Sequence, residues 1–368
     1  CIYKNKSVYV WRIHVSTSCI IGGYHVNYHT TPGVYKHDMG IKEGGNLAIL
    51  AGVGPMGLGA IDYALHADRR PSLITVPDID ETRTARAKRL FPEEEAARLG
   101  IKLTYVNTGK LDDPVKTLRD LTDGKGYDDV FVLAPVRQVV EQADAIMGFD
   151  GCMNFFAGPT DTKFSADYNF YNVHYMLTHV AGNSGGNTDD MREALRLAET
   201  GRMNPSTMVT HIGGLDAVID TTLNLPKIPG GKKLIYTHVS MPLTALDDME
   251  RLLAEYPGDT ALRLNCAALM NVVEVSFLDE SETIKAAWRE KRRALYEEAA
   301  LSEEAAQRES AVCALAAMDL SEDKLDAAQR RLDSLPEHSE DTTLLRVQLL
   351  KKRGEMDRAL EVTQKQLY

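Results

Sequence analysis

Basic charge, long apolar runs, paired cysteines and tryptophan are all scarce in this chain of 368 residues. Its 42 Lys and Arg face 53 Asp and Glu, and the net charge of −11 withholds the basic face that a phosphate backbone needs. No nucleic-acid partner is expected. No apolar run is long enough to span a bilayer, so no membrane partner is expected either. Five cysteines, an odd number in no framework spacing, point to a reducing compartment. With no leader pattern visible, the expected location is cytoplasmic. Neither C-x-x-C nor H-E-x-x-H occurs, which removes the commonest zinc spacings. An apolar fraction of 44% is too high for intrinsic disorder, and the length suggests two or three packed units.

Glycine is scarce in one half only. Of 27 glycines, just Gly258 and Gly354 follow residue 246. The same stretch, 246–368, carries about −9 of the net charge and is rich in Ala, Leu, Glu and Arg. A boundary near Leu243–Leu246 accounts for both shifts. An α/β part is expected before it and a helical part after it.

The first part alternates short apolar runs with helical patterns. Strands are expected at Asn46–Ala51, Leu73–Val76, Leu103–Val106, Asp129–Leu133, Cys152–Phe156 and His179–Gly182. Helices are expected at Met56–His66, Thr82–Leu99 with a break at Pro92, Asp113–Leu121, Val136–Met147 and Asp189–Glu199. Near-continuous apolar strands separated by helices predict a doubly wound parallel sheet covered on both faces.

Chemistry begins at the end of the first strand, where Gly52-Val53-Gly54-Pro55-Met56-Gly57 fits G-x-G-x-x-G. The first glycine permits the tight turn, the second lets a pyrophosphate approach the backbone, and the third lets helix pack on strand. The following helix N-terminus offers free N–H groups and partial positive charge to phosphates. Asp78 closes the second strand 21 residues after Gly57, the place for a carboxylate that accepts from both ribose hydroxyls. Its charge would repel a 2′-phosphate, which favours NAD over NADP, and nearby Arg83 softens that preference. Asp80 is a rival for the ribose role, but it is placed to cap the next helix.

Several separated segments resemble the medium-chain zinc alcohol and polyol dehydrogenases, in order. They are Tyr24-His25-Val26-Asn27-Tyr28-His29-Thr30, Gly44-Gly45-Asn46 into the glycine turn, Asn154-Phe155-Phe156-Ala157-Gly158-Pro159-Thr160, Gly182-Asn183-Ser184-Gly185-Gly186-Asn187 and Ile228-Pro229-Gly230-Gly231-Lys232. The resemblance runs over about 18–244 and is strongest to the sorbitol dehydrogenase and L-sorbose-1-phosphate reductase branch. It implies a Rossmann dinucleotide-binding domain, an NAD(P) cofactor, and a polyol or sugar phosphate as substrate. A homo-oligomer is also open. It further implies that Ala134, Pro135, Gly158, Asn183 and Ser184 line the cofactor crevice with Gly52, Gly54, Pro55, Met56, Gly57, Asp78 and Arg83. The implied layout is 1–45 as a remnant of the catalytic domain with its linker and 46–200 as the dinucleotide-binding domain. Residues 201–245 would be the return segment toward the catalytic domain, its strands near Met208–His211 and Leu234–His238 left with exposed edges.

The family's zinc polarises the alcohol or carbonyl oxygen while hydride passes to or from the nicotinamide. The residues for it are missing here. No Cys followed by a Gly-His-Glu segment precedes the glycine turn, and Val15 stands where the family carries its last acidic position, four residues before Cys19. Cys1–His14 resembles nothing in the family. His25 and His29, four apart, would share a face on a helix, with His37 and Cys19 nearby, but satisfied structural histidines are the expected reading. Cys152 is expected to be a packed, unreactive thiol.

In the tail, Leu246–Leu253, Leu325–Leu332 and Met356–Glu361 look alike, and the last two begin 31 residues apart. That spacing is near the 34-residue period of tetratricopeptide helix pairs, with Pro257, Pro336 and Gly354 as punctuation. The tail resembles the tetratricopeptide-like region of Firmicutes helix-turn-helix regulators, which implies a peptide or protein partner. The basic run Arg289, Lys291, Arg292 and Arg293 is expected to form a solvated helix face, and Trp288 and Tyr296 to be core. Three readings follow: a zinc-type polyol or ketose-phosphate dehydrogenase inactive for want of ligands, a nucleotide-binding module joined to a helical scaffold, and a chimera of two unrelated fragments.

Overall fold

The computed structural model describes residues 14–31, 33–236, 240–248, 253–254, 259–264, 266–267, 282–335 and 340–365. By density of contacts the described residues form two compact units. One lies within Cys1–His211 and Leu225–Leu234, the other within Ile212–Asn224 and Ile235–Tyr368.

The first unit opens with α1 (His14–Val26), then a short antiparallel pair, β1 (Tyr28–Thr30) and β2 (His37–Met39). Its centre is a six-stranded sheet of β3 (Asn46–Leu50), β4 (Leu73–Asp78), β5 (Lys102–Asn107), β6 (Tyr127–Val132), β7 (Met147–Phe155) and β8 (His179–Ala181). The strands are all parallel, in the order β5-β4-β3-β6-β7-β8. Leu47, Ala48, Ile49 and Leu50 are fully buried, as continuous apolar strands must be when both sheet faces are covered. The crossovers carry α2 (Pro55–His66), α3 (Glu81–Leu90), α4 (Glu93–Arg98), α5 (Pro114–Asp120), α6 (Arg137–Ile146) and α7 (Phe170–Tyr175). Helix α8 (Thr188–Glu199) follows β8 and starts on a capping box of Asn187 and Asp190.

The run over 82–99 breaks at Pro92 as expected, giving two helices, because Pro92 supplies no N–H and becomes the N-cap of α4. One difference from expectation has a physical cause. Strand β7 starts at Met147 and not at Cys152, since Gly148, Asp150 and Gly151 form a bulge and not a turn. The register against β6 shifts between Tyr127 and Asp129, and Asp150 takes a left-handed φ of 57°.

After α8 come β9 (Val209–Gly214), α9 (Val218–Leu223), β10 (Lys232–Tyr236) and β11 (Thr244–Ala245), the strands forming a sheet in the order β10-β9-β11. In the second unit the long described helices are α10 (Glu282–Ala299), α11 (Ala305–Ser321), α12 (Leu325–Asp333), α13 (Glu340–Lys352) and α14 (Met356–Lys365). Ala316, Leu320, Ala328, Leu332, Leu335 and Leu349 make one apolar core among them. Tyr296 is buried in a second cluster with Ala267, Leu315 and Met318. The basic run is a solvated face only in part: Lys291 is exposed and Arg289 half-buried, but Arg292 is buried and Arg293 pairs with Asp319 at 2.7 Å and Glu322 at 3.1 Å. Asp319, itself buried, also holds Arg331 at 2.8 Å, so the carboxylates that decide this arrangement lie 26 or more residues from the run. Of the first repeat-like segment, Leu246–Asp248 forms a 3-10 turn while 249–252 lie outside the described residues, as do Pro257, Pro336 and the Trp288 side chain.

Candidate functional site

Parallel pairing brings the carboxyl ends of β3, β4, β6, β7 and β8 to one edge of the sheet. The chain reverses its winding sense between β3 and β6, which leaves a crevice at that edge. Loop backbones continue the ladder there: Ala51 N–H donates to the Pro77 carbonyl at 3.0 Å, Leu133 N–H to Leu50, and Ala157 N–H to Val132.

Each glycine of the turn meets a different environment. A Cβ on Gly57 would sit 2.0 Å from the Gly52 carbonyl oxygen, and one on Gly52 would sit 2.4 Å from that of Ile49. Both positions are closed to any side chain, because at Gly57 the helix touches the turn backbone, and Gly52 is folded onto the Ile49 carbonyl and the Val76 side chain. A Cβ on Gly54 would meet nothing within 4 Å. Gly54 therefore fronts open space at the head of α2, where Pro55 occupies the first helical position and no side chain caps the helix. Met56, beside it, is only partly buried.

Asp78, half-buried at the end of β4, ties this turn to its surroundings. Its Oδ2 accepts from Val53 N–H at 3.2 Å, and its Oδ1 accepts from Ile79 N–H at 2.7 Å and Asp80 N–H at 2.9 Å. Asp80 accepts from Arg83 N–H and caps α3, and its carboxylate also holds the Arg83 guanidinium at 3.2 Å. Arg83 is thus engaged with Asp80.

The remaining residues follow strands β6, β7 and β8 along the same edge. Ala134 and Pro135 form the turn into α6, with Val136 N–H on the Ala134 carbonyl. Gly158 has open space where a side chain would be. Ser184 is exposed. Asn183 turns part of its side chain inward, donating to the Cys19 carbonyl at 3.3 Å and to Gly185 at 2.9 Å, while its Oδ1 is buried without a partner.

The histidines stand apart. His25 lies on α1 and His29 on β1, so they do not share a helix face. His25 Nδ1 meets Asp190 at 2.7 Å. His29 Nδ1 faces the Asp150 carbonyl at 3.1 Å and Nε2 faces the Asp129 carboxylate at 3.2 Å. Burial lowers the His29 pKa, but Asp129 and Asp150 outweigh it and leave the group above its ordinary value. Asp129, buried, also accepts from Asn27 and from Lys42 N–H. Nothing in the sequence pattern singled out Asp129 or Asp150, because their partners are about 100 residues away in the chain. Burial pushes the Cys152 thiol up to about 12. Among the described residues no group of three His, Cys, Asp or Glu could hold a metal ion. Val15 is exposed on α1 and has no ligating atom. These residues do not fit a zinc.

Residues 55–200 match the family model described as zinc-binding dehydrogenase. The chain is 61% identical over 230 residues to the uncharacterized protein YggP of Escherichia coli K12, covering 62% of this chain and 54% of that one. It is 58% identical over 240 residues to mannitol-1-phosphate 5-dehydrogenase of Aliivibrio fischeri, covering 65% and 57%. It is 46% identical over 232 residues to L-sorbose 1-phosphate reductase of Klebsiella pneumoniae, covering 63% and 55%. The chain thus spans little more than half the length of the curated relatives it matches.

Proposed function

We propose that the α/β part is the coenzyme-binding portion of an NAD(P)-dependent dehydrogenase of the polyol or ketose-phosphate type. The observation that carries this is the open face at Gly54, flanked by two glycines that close contact makes obligatory and backed by the Asp78 carboxylate. In this reading the diphosphate lies over Gly52, Gly54, Pro55, Met56 and Gly57 at the N-terminus of α2, where aligned N–H groups stabilise it. Asp78 accepts from the adenosine ribose and favours NAD, with Arg83 available to a 2′-phosphate once released from Asp80. Ala134, Pro135, Gly158, Asn183 and Ser184 line the nicotinamide end. The nicotinamide supplies the hydride acceptor or donor, and the chain's own residues bind and orient it. The substrate class follows the similarity to the mannitol- and sorbose-phosphate enzymes.

Because no zinc ligand set is assembled among the described residues, we expect this chain by itself to turn over negligibly. Nicotinamide fluorescence tests the cofactor site. Wild-type protein should bind NADH saturably, and Gly54→Asp, which puts a carboxylate where the diphosphate belongs, should abolish binding without moving the melting midpoint. Absence of saturable binding by the wild type removes the reading. Zinc-dependent reduction of a ketose phosphate well above the Gly54→Asp control would overturn the inactivity.

A second reading rests on the apolar seam among α11, α12 and α13: a tetratricopeptide-like scaffold for a peptide or protein partner, joined to the nucleotide module.

A further inference from the structure

Helix α1 packs against the segment that leads into α8, and two glycines set how close they come. A Cβ on Gly22 would sit 3.0 Å from Asp190 Oδ2 and 3.1 Å from Asn183 Nδ2, and one on Gly186 would sit 2.2 Å from the Ser18 carbonyl oxygen. Asn183 also donates to the Cys19 carbonyl at 3.3 Å. Residues 182–187 therefore rest on α1, and what ties α1 to α8 ties that segment as well.

His25 stands at this junction. Its Nδ1 meets Asp190 Oδ1 at 2.7 Å, while Asp190 Oδ2 accepts from Asn187 N–H at 2.8 Å in the cap of α8. Its Nε2 faces the Glu193 carboxylate at 3.5 Å and the Tyr63 phenol oxygen at 3.3 Å. Tyr63, on α2, donates its one proton to Glu193 at 2.9 Å. Burial and then Glu193 raise its pKa far above the ordinary phenol value, so it remains a donor to that carboxylate and has no proton for His25. Both ring nitrogens thus face acceptors, and only the imidazolium satisfies both. A neutral ring can keep Nδ1–H on Asp190, but it then turns the Nε2 lone pair toward two oxygens. The last turn of α1 also favours positive charge. Among the described residues, the titratable groups facing the ring are Asp190 and Glu193 from α8 and Tyr63 from α2, with Arg196 beyond Glu193 at 4.0 Å.

We propose that His25 is a positioning residue for the coenzyme site: its imidazolium, held between Asp190 and Glu193, fixes residues 182–187 on α1 and makes binding of the nicotinamide end proton-linked. This rests on the reading of Asn183 and Ser184 as the nicotinamide wall. Loss of the proton removes the Nε2–H contact to α8 and loosens the wall. A ligand that prefers the protonated ring binds more weakly as pH rises. The contacts at Gly54 and Asp78 do not pass through His25, so a coenzyme fragment that lacks nicotinamide does not sense it.

The probes are NADH and ADP-ribose, titrated into the full chain between about pH 6 and pH 8.5, where imidazole is the side chain whose ordinary titration falls. Wild-type affinity for NADH should fall about fivefold across that range, and affinity for ADP-ribose by under about twofold. His25→Gln should bind NADH at the weaker, high-pH level throughout. Glu193→Gln should bind it at the tighter level throughout, because its amide can donate to the neutral ring. His29 titrates in all three proteins, so differences between the curves isolate His25. An NADH profile of His25→Gln that follows the wild type overturns the proposal, and so does an equal fall for ADP-ribose, which would mark a general charge effect. Should His25→Gln fail to fold, Glu193→Gln decides: a profile parallel to wild type overturns the proposal. Wild-type protein that binds ADP-ribose and NADH with the same affinity at every pH overturns it while leaving the dinucleotide reading intact, and protein that binds neither removes both.

Discussion

Three glycines of one motif do three different jobs, and single substitutions separate them. Gly57→Ala forces a Cβ to within 2.0 Å of a backbone oxygen that cannot retreat, so the expected cost is about 3 kcal/mol of stability. Gly54→Ala meets no atom, so it should cost under about 1 kcal/mol, the ordinary penalty of alanine at a helix N-cap. It should instead weaken NADH about tenfold. Denaturant melts of both variants check this, and a Gly57→Ala protein as stable as wild type would contradict the packing argument. The motif and its carboxylate, Asp78, were legible from spacing. The sequence also assigned Asp80 to its cap, because a helix start needs only local residues. Asp129 and Asp150 were not legible, since each acquires its meaning from a neighbour that only the sheet brings near.

At the scale of elements, the β1–β2 pair is too short to hold itself, with three residues in each strand. It is pinned to the main sheet through His29, whose two ring nitrogens both face acceptors, on Asp129 and Asp150. That arrangement requires the protonated ring. Its pKa is raised in the folded protein, so the stabilisation is complete below the unfolded value of about 6.5 and is lost as pH rises through the folded value. Wild-type unfolding free energy should therefore fall more steeply than that of His29→Gln from about pH 6.5 upward. Parallel curves would show that His29 contributes nothing in this way. Strands, helices and their order were read from periodicity, because burial on both faces leaves a continuous apolar run. The start of β7 was misjudged for the opposite reason: a bulge uses the same glycines and aspartate as a turn, and only pairing with β6 tells them apart.

For the whole molecule, composition separated a glycine-rich part from a glycine-poor part near residue 245. The contact-based units differ in detail, the second taking in 212–224 and 235–245. Two compact units with separate cores should not melt as one. Scanning calorimetry is expected to resolve two transitions, and NADH at about a hundred times its Kd should stabilise only one of them, by about 2.7 kcal/mol. A single transition whose calorimetric and van't Hoff enthalpies agree would refute this.

What the sequence determined by itself is whatever depends on neighbours in the chain: the strand–helix alternation, the glycine turn, the carboxylate that ends β4, and the helical character of the tail. What only the tertiary structure decided is which distant groups share a desolvated space. A buried carboxylate or a paired arginine run becomes chemically special when water is removed around it, and no local pattern encodes where that happens.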